Sequence, residues 1–583
     1  MLRTLPTTLL ALLLTLSASA ANPPNIVVVM TDDQGCGDFG FTGNQVIRTP
    51  NLDQMARESA QMMQFYVSPV CSPTRACLMT GRYNYRTRAI DTFKGRSMMD
   101  PEEITVAEHL KTVGYATGLF GKWHLGDNHP LRPQDQGFDE VLMHQGGGLA
   151  QNSEPIGNDR RYTDAILRHN GELVETKGYC TDVYFSAALD YMESCVSEGK
   201  PFFTYIATNA PHGPYHDAPK ALYEEYLKKP DQLRSLIRQM PSDRKDRDGL
   251  GQIEVLASIA AMITNVDENM GRLMAKLEVM GVAKNTLVIF LTDNGPNTTR
   301  YVGPYRGNKS QVYEGGVHTI FLARWPGTLP AGHLSNALGA HIDIAPTLIA
   351  AAGVEDEPSP NMDGKNLLPL LKGEVGDADW PTRQIVLQSH RGNAPVKYHN
   401  FMLRESSGWK LLNASGFSRN ELPPGGPKLE LYNLIVDPSE SVDLSAAYPK
   451  IVERLKKAYE RWFDAVSSSL PDNYAPPRIA LGTTHEHPVL LTGQDARVDA
   501  DEKSIGWQVK SGRAGTYRVR FLDVEPLPAQ AQFVVEVDGK NVATSSSGTD
   551  MEVPLPEGEF LFSARIQTTD GSELGYQIEL SWE

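Results

Sequence analysis

An α/β fold with a mainly parallel central sheet flanked by helices is predicted by three features of the sequence. Continuous apolar runs recur at residues 25–31, 115–120, 201–207 and 286–291, as expected of parallel strands buried on both faces. Segments with helical periodicity alternate with them. Each run also stops abruptly in polar residues: Asp32-Asp33-Gln34-Gly35, Gly121-Lys122-Trp123-His124, Asn209-Ala210-Pro211-His212 and Thr292-Asp293-Asn294-Gly295. Ligands bind beyond the carboxyl ends of strands in such sheets. The four tails therefore mark a site on position alone.

Taken in order, the chain opens with a secretory signal over residues 1–20. Arg3 supplies its positive region, Leu9 to Leu16 its apolar region and Ala18-Ser19-Ala20 its cleavage site. The α/β domain is expected over 21–375. Within it, Pro50-Asn51-Leu52-Asp53 opens a helix that turns Leu52, Met55 and Ala56 inward. Further helices are predicted over 105–113 and 253–280, the second stopped by Gly281. From Gln384 short strands replace the alternation (385–388 and 409–412), followed by a helix over 450–466, so a smaller α+β unit is expected over 376–470. Residues 471–478 read as a linker. Beyond them, segments 506–509, 516–522, 532–537, 559–567 and 575–582 alternate polar and apolar, and Asp538-Gly539 is a hairpin turn signal. A β-sandwich over 479–583 fits.

A chain of 583 residues exceeds one ordinary core. Its formal net charge of −16 argues against nucleic acid, whose binding rests on Lys and Arg neutralising phosphates. An anionic ligand must then meet a local cationic pocket. No segment has the length and apolarity of a membrane span. The five cysteines, Cys36, Cys71, Cys77, Cys180 and Cys195, show no zinc spacing. With Cys71 set aside, the other four allow three pairings or none.

The chain is organised around residues 70–82, Val-Cys-Ser-Pro-Thr-Arg-Ala-Cys-Leu-Met-Thr-Gly-Arg. Pro73 suits a first helical turn and Gly81 the position after the last. Cys71 then sits at a helix N-terminus, where free N–H groups favour an anion. On these residues alone, a nucleophile beneath an oxyanion and a buried structural cysteine are both open. Asp32, Asp33, Asp293 and Asn294 are oxygen donors that suit Ca²⁺ or Mg²⁺ better than zinc, or they are helix caps. Lys122 and His124, two apart, would point to one side of an extended backbone.

Cys-x-Pro-x-Arg followed by Leu-x-Thr-Gly-Arg resembles the signature of the type I, formylglycine-dependent sulfatases, with Thr74 where Ser is frequent. Gly121-Lys122-Trp123-His124 and the string Leu431-Tyr432-Asn433-Leu434…Asp437-Pro438-Ser439-Glu440 are similar to further motifs of that family. The resemblance covers about residues 25–469 and implies an alkaline-phosphatase-like fold whose smaller subdomain packs an antiparallel sheet on a helix. It implies a secreted or periplasmic sulfuric ester hydrolase that acts through a formylglycine hydrate made from Cys71 by a maturation enzyme. One Ca²⁺ is implied on Asp32, Asp33, Asp293, Asn294 and the modified Cys71. Arg75 would bridge the formylglycine hydroxyl and the metal carboxylates, and Lys122 would hold sulfate. His124 would move a proton at formylglycine. His212 would contact sulfate or protonate the leaving group. Lys309, with Arg306 as the alternative, would hold a sulfate oxygen near the leaving group. His144 and His216 are weaker candidates for lining the substrate side. Cys36 stands where the family often has an aromatic residue.

Export and an added β-sandwich point to a sulfated carbohydrate as substrate, with the sandwich as a glycan-binding or packing module. Two other readings compete: a phosphate or phosphonate monoester hydrolase of the same superfamily, and a non-catalytic glycan binder. Asp293-Asn294, where Asp-His is expected, disfavours a two-zinc phosphatase and leaves a single-metal formylglycine phosphonate hydrolase open.

Overall fold

The computed structural model describes residues 23–582 apart from 239–245, 247–248, 355–360, 419–421, 469, 471–473, 499–504, 523, 525–529, 570 and 576. The segment expected to be a signal, residues 1–20, lies outside the described residues. No described helix is long and apolar enough to cross a membrane.

The central sheet runs from one edge in the order Leu334–Ala340, Ala60–Tyr66, Phe321–Arg324, Thr286–Thr292, Asn25–Thr31, Phe202–Ala207, Ala116–Lys122, Glu140–His144, Ile166–His169 and Glu172–Glu175. Four adjacent strands, from Thr286–Thr292 to Ala116–Lys122, are parallel and in continuous register. They are the four apolar runs of the sequence, so their polar tails emerge side by side. Phe321–Arg324 and the last two strands pair antiparallel, which makes the sheet mixed at its flanks.

Period-two alternation sorts each strand between two cores. Ile26, Val28 and Met30 face a layer that holds helices Cys71–Thr80, Val106–Lys111 and Ile344–Ala351. Val27 and Val29 face the layer of Pro50–Glu58, Cys180–Ser197 and Gln252–Val279. The helix expected over 105–113 is shorter than its apolar pattern, and Thr105 and Glu108 close a reciprocal cap at its start.

A four-stranded antiparallel sheet follows, in the order Gln384–Gln388, Phe401–Glu405, Trp409–Asn413 and Glu430–Asn433. Helix Pro449–Ser467 packs on it through Leu455, Ala458, Tyr459, Phe463 and Val466. Tyr459 stacks on Phe401 with ring centres 3.7 Å apart. Buried Lys410 holds Glu314 and Glu440 at 2.8 Å each, which ties this sheet to the catalytic body. The Asp-Pro-x-Glu string thus ends in a structural ion cluster.

The C-terminal module is a sandwich of a seven-stranded and a four-stranded sheet around one core that includes Trp507, Phe533, Phe562, Tyr517 and Ile578. Strand Asp550–Leu555 joins those expected from the alternation, and Ile479–Leu481 pairs parallel to Ile505–Ser511. Residues 474–478 do not hang free: Tyr474 is buried, and its carbonyl accepts from Arg96 Nη1 at 2.6 Å.

Candidate functional site

Strand Asn25–Thr31 delivers Asp32 and Asp33, and Thr286–Thr292 delivers Asp293 and Asn294. Ala116–Lys122 ends on Lys122 and is followed by His124, and the segment after Phe202–Ala207 carries His212. Cys71 opens helix Cys71–Thr80, every residue of which is buried. Gly81 takes the left-handed conformation that ends the helix, with φ 69°. The turn from strand end to helix start brings Cys71 Sγ to 3.3 Å from Asp32 Oδ1.

Cations and carboxylates interleave around the thiol. Lys122 Nζ lies 2.5 Å from Asp32 Oδ2, both fully buried. Lys309 Nζ lies 2.5 Å from Asp33 Oδ1 and 3.4 Å from Cys71 Sγ. Arg75 donates through Nη2 to Asp293 Oδ2 at 2.8 Å and through Nη1 to the Lys122 carbonyl at 3.0 Å. Arg306, the alternative to Lys309, instead stacks on Tyr313 at 3.9 Å and reaches Tyr432 and the Glu440 carbonyl. The loop that carries Lys309 closes against Gly315 and Gly316. A Cβ on Gly316 would lie 2.0 Å from the Gln311 carbonyl oxygen, so only glycine fits there.

The electrostatics follow from this packing. Burial alone would raise Asp32, but Lys122, His212, Lys309 and Arg75 outweigh it and hold the carboxyl well below its usual range. Burial and the neighbouring Asp32 push Asp293 up to about 7. Burial would lower Lys309, yet Asp33, Cys71, Asp32 and Asp293 keep it firmly charged. Burial, with Asp293 and Asp32 close by, drives the Cys71 thiol upward and keeps it neutral. Burial lowers His124 and His212, so both are neutral imidazoles at neutral pH.

The donor set fits a hard divalent cation. Ligand atoms of Asp32, Asp33, Cys71 and Asp293 lie within 4.8 Å of one another. Asp33 has a left-handed backbone (φ 62°), and its N–H donates to Asp293 Oδ1 at 3.2 Å. Asn294 Nδ2 donates to Asp33 Oδ1 at 2.8 Å. Asp33 Oδ2 and Asn294 Oδ1 remain buried without a hydrogen-bond partner, an arrangement that a bound cation would satisfy.

The mouth of the pocket is on the His212 and Lys309 side. Those side chains are 16% and 13% exposed, whereas Lys122, Asp32 and Asp293 are fully enclosed. His212 Nε2 stands 3.8 Å from Asp33 Oδ2.

Several residues at the site carried weak sequence signals or none. Tyr205 sits within an apolar strand, and its hydroxyl lies 3.4 Å from Arg75 Nη1. Arg300 braces the turn at Asp33 by donating to the Asp33 carbonyl at 2.9 Å and pairing with Asp38 at 2.6 Å. His144 is buried with Nδ1 3.0 Å from the Tyr184 hydroxyl, and burial together with Lys122 pushes it down to about 3. His216 is exposed. Gln494, from the C-terminal sandwich, lies 3.3 Å from His124 Nε2. All five cysteines are buried free thiols. Cys36 contacts the Val302 carbonyl at 3.6 Å.

A buried thiol at a helix start, ringed by cations and carboxylates where the strands of a mainly parallel sheet end, is the setting of a hydrolase of the alkaline-phosphatase-like fold. A family model described as Sulfatase matches residues 24–354, and one described as N-sulphoglucosamine sulphohydrolase, C-terminal, matches 307–463. The N-acetylgalactosamine-6-sulfatase of Mus musculus is 32% identical over 392 residues, which cover 62% of this chain and 69% of that protein. Arylsulfatase A of Homo sapiens is 31% identical over 490 residues, with 77% and 89% covered. Among solved structures, Ps i-CgsB in complex with k-i-k-neocarrahexaose superposes with a TM-score of 0.63 at 27% identity, covering 77% of this chain and 94% of that one. The chain belongs to the sulfatase family and is a sulfuric ester hydrolase.

Proposed function

We propose that the chain is exported and removes sulfate esters from a sulfated carbohydrate, using a formylglycine made from Cys71 by a separate maturation enzyme and one Ca²⁺. The observation that carries this reading is the placement of Cys71 Sγ, 3.3 Å from Asp32 and 3.4 Å from Lys309, at the floor of a pocket that opens beside His212. The carbohydrate part is supported by relatives and neighbours whose names include an N-acetylgalactosamine-6-sulfatase and a complex with a neocarrahexaose.

Asp32, Asp33, Asp293, Asn294 and the modified Cys71 would hold the Ca²⁺, which supplies positive charge at the sulfate oxygens. The formylglycine hydrate supplies an oxygen nucleophile and a second hydroxyl whose deprotonation lets sulfate leave with the aldehyde restored. The remaining work falls to side chains already in place. Lys122 from the floor and Lys309 from the rim offer preorganised charge to the sulfate oxygens in a water-poor pocket. Arg75 fixes Asp293 and the Lys122 backbone, and so the floor itself. The leaving alcohol must depart through the mouth, which gives His212 the donation of a proton to it. His124, deeper in the chain's interior, takes the proton from the hydrate. His124 accepts as a neutral imidazole, whereas His212 donates only in its imidazolium form, which burial disfavours and the nearby Asp32 and Asp33 carboxylates favour.

The test is hydrolysis of a panel of sulfated oligosaccharides by protein matured in its native host, beside a Cys71→Ala control. Sulfate release from at least one sugar, lost in the control, is expected. Release from phosphonate or phosphate esters alone would overturn the reading.

A further inference from the structure

We propose that Gln494 of the C-terminal sandwich is a positioning residue of the active site, bracing the Thr92 carbonyl that fixes the ring and tautomer of His124. The inference rests on the reading of His124 as the proton acceptor.

Gln494 stands in the turn between strands Val489–Thr492 and Arg497–Val498 and is 4% exposed. Its Nε2 donates to the Thr92 carbonyl at 2.8 Å and to Ser97 Oγ at 3.2 Å. His124 Nε2 lies 2.7 Å from the same carbonyl. A carbonyl only accepts, so His124 Nε2 carries the hydrogen and Nδ1 keeps the lone pair. That Nδ1 is buried with no hydrogen-bond partner, which leaves it free to take a proton. An amide oxygen turned toward Thr92 would set two acceptors together, so the carbonyl also decides which end of Gln494 faces it. Two donors thus share the two lone pairs of one oxygen.

His124 needs this support. Its backbone is left-handed (φ 62°), a conformation that persists in a non-glycine residue only where the surroundings hold it. Gly147 also packs close to the ring, where a Cβ would lie 2.8 Å from His124 Cε1 and Nε2.

The turn is itself built into the catalytic body. Gly95 N–H donates to the Gln494 carbonyl at 3.2 Å, and Asp127 N–H to Asp495 Oδ2 at 3.3 Å. The Asp495 carbonyl oxygen stands 2.9 Å from where a Cβ on Gly95 would be, and Gly95 has φ 66°. Trp507 Nε1 secures the turn from the sandwich side by donating to the Thr492 carbonyl, 2.7 Å away. Met98 and Leu131 of the catalytic body are part of the sandwich's own core. Both family matches stop by residue 463, so this contribution comes from a module outside them.

The experiment compares full-length wild type with Gln494→Met, labelled with ¹⁵N-histidine, the His124 signals being assigned by their loss in His124→Ala. Wild type should show His124 protonated at Nε2. Gln494→Met should show mixed tautomers and a kcat lowered about tenfold, with KM and melting temperature held. A Gln494→Met protein whose His124 signals match wild type overturns the proposal, whatever its turnover. If that variant does not fold, Gln494→Asn, which withdraws the amide by one methylene, gives the same readout. Full turnover in His124→Ala would remove the catalytic role of His124 but leave the tautomer result standing, so the two failures are separable.

Discussion

In the pocket around Cys71, Asp32, Asp33 and Asp293 each lie against a cation, Lys122, Lys309 and Arg75 respectively. The seam between the catalytic body and the C-terminal sandwich buries carboxyls too, but without such partners. Asp127 accepts from the Gly146 N–H at 2.9 Å, and Asp495 accepts from the Asp127 N–H at 3.3 Å. One oxygen of each has no partner. Burial pushes Asp127 up to about 6, and burial with Asp127 beside it pushes Asp495 well above the carboxylate range. The pocket therefore sets fixed cations against its acids, even where Asp293 is pushed up to about 7, whereas the seam buries Asp127 and Asp495 with no ion-paired cation among the described residues. Fixed charge is preorganised for an anionic substrate, whereas a protonated seam is a joint whose strength depends on pH.

Four changes would break or sharpen this contrast. The largest effect is expected from Cys71→Ala, which should lower turnover by about 10⁴-fold or more while the fold survives, as judged by its melting curve. Next is Arg75→Met, which leaves Asp293 buried without its cation. Breaking a buried pair from one side costs about 3–5 kcal/mol, readable by urea unfolding. Removing the divalent cation with a chelator should lower the melting temperature reversibly, since a site occupied at a hundredfold excess over Kd contributes about 2.7 kcal/mol.

The smallest effect is at the seam. Asp127 and Asp495 have folded pKa values raised above their unfolded ones. The stability they contribute is present below about pH 4, the unfolded value, and is lost as pH rises through about 6 and beyond. The other groups that act on Asp127 are Arg168 and Glu486, of opposite sign. Asp495→Asn should flatten that loss and raise stability at pH 8 by about 1–3 kcal/mol, with little change at pH 4. Equal stability of the two proteins at pH 8 would show that the seam is not held by protons.

Much of the pocket was legible because its residues sit at the ends of continuous apolar runs. Residues 25–31 and 286–292 had to be buried parallel strands, and Asp32-Asp33 and Asp293-Asn294 follow them directly. Their adjacency in the sheet was not legible, since it depends on which strands pair. Tyr205 reads as one more apolar residue of its strand, and only the approach of Arg75 gives its hydroxyl a role. His144 looked like a loop residue, yet it is buried near Lys122. Gln494 is the extreme case. It lies 370 positions from His124 in sequence, in a module read as a glycan-binding or packing appendage. No local pattern could place it beside His124, because its position is set by how two domains dock.

The central claim, that Cys71 is the precursor of the nucleophile, is tested most directly by the mass of the tryptic peptide spanning residues 58–75 from protein made in its native host. The account requires the mass of formylglycine in place of cysteine at position 71, in the fraction of protein that releases sulfate. Active protein carrying only unmodified cysteine there would contradict it.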